Sequence, residues 1–492
     1  MTTKKTLGVS RHKKPAMTPN QKTHQATSGI LPATAPVITP EIASGMTAVQ
    51  AAAAEVVGQV ISGKNLDRVL EAVQTRNRGL TANERAAVHS ISFDTLRHYG
   101  LLSAQLDKLL TQPVSDAPVR HLLLIALSQL QFSKAAAHAI VDHAVTATER
   151  MGLARAKPLV NAVLRNYLRA PEKYQREILS LEPALDTAQY DFPRWWIDAT
   201  KKQHPKNWQQ ILLSARARPP MWLRINSRRT TVIDYLQRLA EKNMSARAGV
   251  GDAVLLEKPV PVHELPGFSE GLVSVQDEGA QLAARLLAAE NGMRVLDACA
   301  APGGKAGHLL ELADIELVAV DNDKHRLTRV AENLGRLGLT ATLKVADASQ
   351  PESWWDGKPF DRILLDVPCS GSGVVRRHPD IKWIRREADI FAFARQQTRL
   401  LGALWNCLPI GGRLLYATCS IFQMENRDIV EQFKRKTPNV RQLQLQPLLP
   451  QLPHAPGAMA HGNAVTSEFL EGQLLPDDVH DGFYYALLEK TG

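Results

Sequence analysis

MRVLDACAAPGGKAGHLLELADIELVAVD, residues 293–321, decides the fold of this chain. An apolar run, Met293 to Asp297, gives way to small residues and two glycines. A helix-forming stretch follows, and then a second apolar run that ends in an acid, Asp321. Strand, tight turn, helix and strand make the repeating unit of a parallel sheet. The unit recurs downstream. TLKVAD (Thr342 to Asp347), RILLDV (Arg362 to Val367), RLLYAT (Arg413 to Thr418) and FYYALLE (Phe483 to Glu489) are further strand candidates. Helices expected around 305–313, 324–337, 387–406 and 424–435 separate most of them. The alternation implies a parallel, doubly wound α/β sheet from about residue 281 onward. Such sheets bind ligands at the carboxyl ends of their strands. Asp297, Asp321, Asp347, Asp366, Cys369 and Cys419 all fall at or just beyond those ends.

The turn itself, Cys299, Ala300, Ala301, Pro302, Gly303, Gly304 and Lys305, is neither GxGxxG nor a P-loop. Its small residues let backbone N–H groups approach a ligand, and the helix that follows favours negative charge at its start. A cofactor carboxylate is one guest; a tight turn without a ligand is the alternative. An acid ending the second strand, Asp321, suits the two hydroxyls of a ribose. Asp347, at the end of the third, suits an adenine amino group. Either could instead cap a helix.

Two thiols follow. Cys369 lies in LLDVPCSGSG (Leu364 to Gly373) and Cys419 in LLYATCS (Leu414 to Ser420). A thiolate is a strong nucleophile, so two thiols beside a cofactor turn point to covalent chemistry with separate attack and release. Pro368 fixes the backbone so that Asp366 and Cys369 face one pocket. Arg376, Arg377, His378 and Lys382 read as cations for phosphate contacts. Cys407, inside an apolar helix, reads as core, and Cys299 as a pocket-shaping residue. No CxxC or HxxxH pattern supports a metal site. Trp195, Trp196, Trp354 and Trp355 read as packing residues.

Upstream, residues 183–280 mix strand-like PPMWLRIN and AVLLEK with the helical TTVIDYLQRLAEKN, a small α+β module. Residues 46–182 are helical throughout, with a capping box at Thr81 and Glu84 and a central apolar helix, VRHLLLIALSQLQF. Residues 1–45 lack periodicity and are expected to be disordered. The net charge of +10 favours a polyanionic partner, but six Lys or Arg with no acid lie within residues 1–40, leaving +4 for the rest. Four cysteines suit a reducing, cytoplasmic setting. No apolar run reaches the ~20 residues of a membrane span.

DACAAPGGK, the acid of AVDND, LLDVPCSGSGVVRRHPDIKW and YATCS resemble the blocks of S-adenosylmethionine-dependent RNA cytosine-5 methyltransferases. SVQDEGAQ and DGFYYALLEK fit as well, and PLVNAVLRNYLR is similar to a NusB-like RNA-binding domain. Within that family the chain resembles the RsmB (Sun/Fmu) type, which modifies 16S ribosomal RNA. The resemblance covers about residues 47–490 and implies a Rossmann-like methyltransferase domain after an α+β module and an all-helical NusB-like domain. It implies that Cys299 to Lys305 wrap S-adenosylmethionine, with Asp321 on the ribose, Asp347 near adenine and Asp366 between cofactor and base. It further implies Cys419 as nucleophile and Cys369 as the residue assisting release. The expected partner is 16S ribosomal RNA, met before full subunit assembly, with no membrane and a monomeric chain. The same enzyme family acting on tRNA, or a non-catalytic RNA-binding factor, are the competing readings. The latter would need neither the cofactor turn nor both thiols.

Overall fold

Thr81 and Glu84 cap each other reciprocally, and this box starts one of seven helices that open the fold. They are α1 (Met46–Ile61), α2 (Leu66–Arg76), α3 (Ala82–Arg97), α4 (Tyr99–Leu109), α5 (Ala117–Phe132), α6 (Ala137–Arg150) and α7 (Lys157–Arg169). Every residue from Leu122 to Gln129 of α5 is buried, as expected of a helix apolar nearly all round. The computed structural model describes residues 45–174, 186–445 and 472–492. The expected disordered extension, up to residue 44, lies outside the described residues.

A four-stranded antiparallel sheet comes next, with β1 (Met221–Ile225), β2 (Ala246–Ala248), β3 (Ala253–Leu256) and β4 (Val273–Val275) in the order β2-β3-β1-β4. Helix Val232–Glu241 packs on it through Tyr235 and Leu239. The buried pair Arg224–Glu311, 2.8 Å apart, ties β1 to helix Gly304–Leu312. Breaking such a pair strands a buried charge, which costs about 3–5 kcal/mol.

The large sheet holds β5 (Arg294–Ala298), β6 (Glu316–Asp321), β7 (Thr342–Val345), β8 (Arg362–Asp366), β9 (Arg413–Thr418), β10 (Val440–Leu443), β11 (Gln473–Leu474) and β12 (Phe483–Lys490). Its order is β10-β12-β9-β8-β5-β6-β7, with β11 paired to β12. Strands β9, β8, β5, β6 and β7 are mutually parallel. The expectation of a wholly parallel sheet needs correction, because β12 runs against both β9 and β10. The chain enters β12 from its neighbour β11 by a reversal, without the crossover helix that parallel pairing needs. Helices Glu278–Leu287, Gly304–Leu312 and Lys324–Leu337 cover one face through Leu282, Leu309 and Leu334. Helices Glu387–Trp405 and Arg427–Lys436 cover the other through Leu400, Leu404 and Ile429.

The basic run after Cys369 does something the sequence did not suggest. Arg376 is 2% exposed and bonds Asp481. Arg377 bridges Asp481 and Asp277, the latter at 2.7 Å. Lys382 is fully buried and donates to the Arg97 carbonyl at 2.8 Å. Burial lowers its ammonium to about 7 against the opposing pull of Asp191. These three are therefore not the phosphate contacts expected of them. Asp380 accepts the Leu66 N–H at 3.1 Å, and the Trp383 indole donates to the Leu96 carbonyl at 2.7 Å. Residues 376–384 form a clasp that fastens the large sheet to α2, α3 and α4.

Candidate active site

Sheet order lays the chemistry out in a row. Across neighbouring strands β9, β8, β5, β6 and β7, the carboxyl ends present Cys419, Asp366, the turn from Cys299, Asp321 and Asp347. Cys369 lies three residues beyond Asp366. The row brings together residues spread over more than a hundred positions of chain.

The turn is shaped for close approach. Cys299 has a left-handed φ of 63° and Gly303 one of 94°. A Cβ on Gly303 would stand 3.1 Å from Val330, so glycine is needed there. Asp321 is buried; it accepts the Ala301 N–H at 3.2 Å and the Asp323 N–H at 3.0 Å. Asp323, not Asp321, caps helix Lys324–Leu337. Asp347 accepts the Ser349 N–H and hydroxyl at 2.9 and 2.7 Å, a local turn cap, and keeps a partly exposed carboxylate. Asp347 is held below the ordinary carboxylate range because those bonds and Arg399 outweigh the cost of burial.

Between turn and thiols, Lys305 bonds Asp366 at 2.6 Å. Burial alone would depress the Lys305 ammonium; Asp366, with Cys419 and Asp297 beyond it, raises it above the ordinary value. Asp297 is 1% exposed and neither of its oxygens has a hydrogen-bond partner among the described residues. Burial first, then the charges of Asp366 and Asp321, push its carboxyl up to about 8.

The Cys369 and Cys419 sulfurs are 3.4 Å apart. That hydrogen bond, then burial, pushes the Cys369 thiol well up. Beneath them lies Glu425, fully buried, which accepts the Ser370 N–H at 2.7 Å and the Ser370 and Ser420 hydroxyls. One carboxylate thus pins the residue after each cysteine. Gln397 donates to the Pro368 carbonyl at 3.0 Å. Glu425 and Gln397 escaped the sequence reading, although an acid six residues past Cys419 was there to be noticed. Cys407 is fully buried in the sheet core, and Trp196 and Trp354 are buried as well.

The set fits a nucleoside carrying an amino-acid tail. It offers a small-residue cradle at Gly303, a buried acid at Asp321 with lone pairs to spare, and an orphaned acid at Asp297. No helix among the described residues is long and apolar enough to cross a membrane.

Residues 284–489 match the family model described as 16S rRNA methyltransferase RsmB/F. Residues 192–263 match the ferredoxin-like domain of the same enzymes, and residues 47–169 match the NusB family. The ribosomal RNA small subunit methyltransferase B of Pseudomonas syringae is 44% identical over 89% of this chain and 96% of its own. That of Vibrio cholerae is 42% identical over 90% and 97%. In fold the chain is similar to the crystal structure of PH0851, with a TM-score of 0.70 over 91% of this chain and 99% of that one, at 24% identity.

Proposed function

The chain belongs to the 16S rRNA methyltransferase RsmB/F family, and on that premise we propose that it methylates C5 of a cytidine in 16S ribosomal RNA through a covalent Cys419–C6 intermediate. The thiol pair at 3.4 Å carries this reading. S-adenosylmethionine, when bound along Cys299 to Lys305 with Asp321 at its ribose and Asp347 near its adenine, supplies an electrophilic methyl group. C5 of cytosine is too weak a nucleophile to take that methyl unaided.

Cys419, as thiolate, adds to C6, and the electron pair of the C5=C6 bond moves toward C5 and N3. Asp366, positioned by Lys305 and carrying a proton, donates a hydrogen bond to N3 and so stabilises the negative charge that develops there. Cys369 keeps its proton in the resting site and donates it toward the Cys419 sulfur. Once C5 has used the C5=C6 pair to take the methyl, the S–C6 pair returns to Cys419, which takes the Cys369 proton. The C5 proton passes to the Cys369 sulfur, and its former bonding pair restores C5=C6. A paired base cannot reach these groups, so the target is single-stranded or flipped out. The helical segment is assigned to RNA binding and the small module to linking it with the catalytic sheet. The cytoplasm, a monomeric chain and RNA not yet fully assembled with protein complete the reading.

Single substitutions test the division of labour. With RNA and S-adenosylmethionine, Cys369→Ala is expected to accumulate a protein–RNA adduct on a denaturing gel. Cys419→Ala is expected to give neither adduct nor product. Normal turnover by Cys369→Ala together with an adduct from Cys419→Ala would reverse the roles.

A further inference from the structure

A groove of about 1240 Å³ runs between α2 and α3 on one side and helix Lys324–Leu337 on the other. Small-molecule pockets span roughly 300–1,000 Å³, so this one is sized for a polymer rather than a metabolite. Six arginines line it: Arg68, Arg78, Arg85, Arg326, Arg329 and Arg385. The acids along it number three: Asp67, Glu71 and Asp323. Asp323 is already engaged as a helix cap.

Arg326 pairs with Asp321 at 3.6 Å, but three of the six have no counter-charge among the described residues. Arg376 and Arg377 of the clasp are neutralised by Asp481 and Asp277. Arg68, Arg78 and Arg329 are exposed, and none forms an ion pair among the described residues. Arginines held apart from carboxylates and aimed into one groove are a binding surface for phosphate oxygens.

The groove also leads to the chemistry. At its inner wall Arg326 donates to the Ala301 carbonyl at 3.0 Å, in the cofactor turn. Arg385 donates to the Ser370 carbonyl at 3.1 Å, next to Cys369. The Asp380 bonds to Leu66 and Asn65 hold the head of α2 against the catalytic side, so the two walls keep a fixed separation.

We propose that this groove holds the sugar–phosphate backbone of the single-stranded RNA adjoining the target cytidine, with Arg68 and Arg78 gripping it from the helical segment and Arg329 from the catalytic side. The proposal rests on the RNA methyltransferase reading above and adds the surface by which RNA is held.

The test uses the full chain carrying Arg68→Gln, Arg78→Gln and Arg329→Gln together, with transcribed 16S rRNA as probe. None of the three touches the cofactor turn or the thiols. Each phosphate contact to a single strand contributes about 0.7 to the slope of log affinity against log salt. The triple variant is therefore expected to lose about 2 from that slope, and roughly a hundredfold in affinity at ~0.1 M salt. S-adenosylmethionine binding and the rate at saturating RNA are expected to stay at wild-type values. The matching Lys triple keeps the slope.

Wild-type affinity and slope in the Gln triple would overturn the groove. So would an equal loss in a control triple elsewhere, Arg238→Gln, Lys242→Gln and Lys436→Gln. A wild-type chain that binds and methylates RNA while the groove variant matches it sinks this inference alone. A wild-type chain that does not bind the RNA sinks the functional reading and this one with it.

Discussion

Asp297 is a carboxyl group with no partner for either oxygen, 1% exposed and close to two other acids. Folded, it holds its proton to about pH 8. Unfolded, it would ionise near the ordinary value of about 4. Between those limits the native chain carries one more proton than the unfolded chain. Stability from this group is thus fully present at low pH and is lost as pH rises toward 8, by at most about 1.4 kcal/mol per unit. Asp297→Asn mimics the protonated acid, so its urea-unfolding stability is expected to gain on wild type steadily from about pH 5 to 8. Parallel curves for the two proteins would sink this account. Nothing local in VLDAC announces an orphaned acid, because its isolation is created by strands that pack from elsewhere. The thiols were legible for the opposite reason. Pro368, Gly371 and Gly373 around one, and a strand end before the other, mark them within a few residues. Arg376 and Arg377 were misread because the acids that cancel them, Asp277 and Asp481, lie about a hundred residues away.

Among elements, the two thiol loops and the β12 approach lock together at one glycine. The Gly373 N–H donates to the Cys419 carbonyl at 2.8 Å, and the Gly482 N–H donates to the Gly373 carbonyl at 2.8 Å. A Cβ on Gly373 would lie 2.2 Å from the Gly482 carbonyl oxygen, which is backbone and cannot step aside. Gly373→Ala is expected to cost roughly 1–3 kcal/mol and to depress methyl transfer by displacing Cys419. Gly402, inside helix Glu387–Trp405, meets nothing within 4 Å, and Gly402→Ala is expected to stabilise by about 0.5–1 kcal/mol. Thermal unfolding of both variants checks the pair; equal effects would refute the lock. The six strands expected for the large sheet are present because each is an apolar run long enough to stand out. Strands β2 and β4 have three residues each and β11 has two, too brief to carry a period. The direction of β12 was hidden because apolar content does not distinguish a buried parallel strand from a buried antiparallel one.

For the molecule as a whole, the clasp decides how the parts behave. Trp383 and Ile384 pack against the α1–α3 core, and Tyr99 stacks obliquely on Trp383 with ring centroids 5.1 Å apart. Trp383→Ala is expected to cost roughly 2–4 kcal/mol, toward the lower end for a large aromatic because the ring is only partly buried. Calorimetry is expected to show one transition for wild type and two for the variant, the helical segment separating from the catalytic sheet. An undivided transition at unchanged temperature would show that the clasp couples nothing. The resemblance foretold both partners of this contact but not the contact, since motifs are local and the clasp is not.

The clasp also has a consequence in time. Helix α7 ends at Arg169, and the clasp arrives only with residues 376–384. At ~5–20 residues per second, synthesis of the intervening chain takes roughly 10–40 s. For that interval the nascent helical segment is out of the ribosome with its docking face, around Leu66, Leu96 and Tyr99, still uncovered. That is a surface on which a holding chaperone would act, and one whose exposure ends when Trp383 emerges.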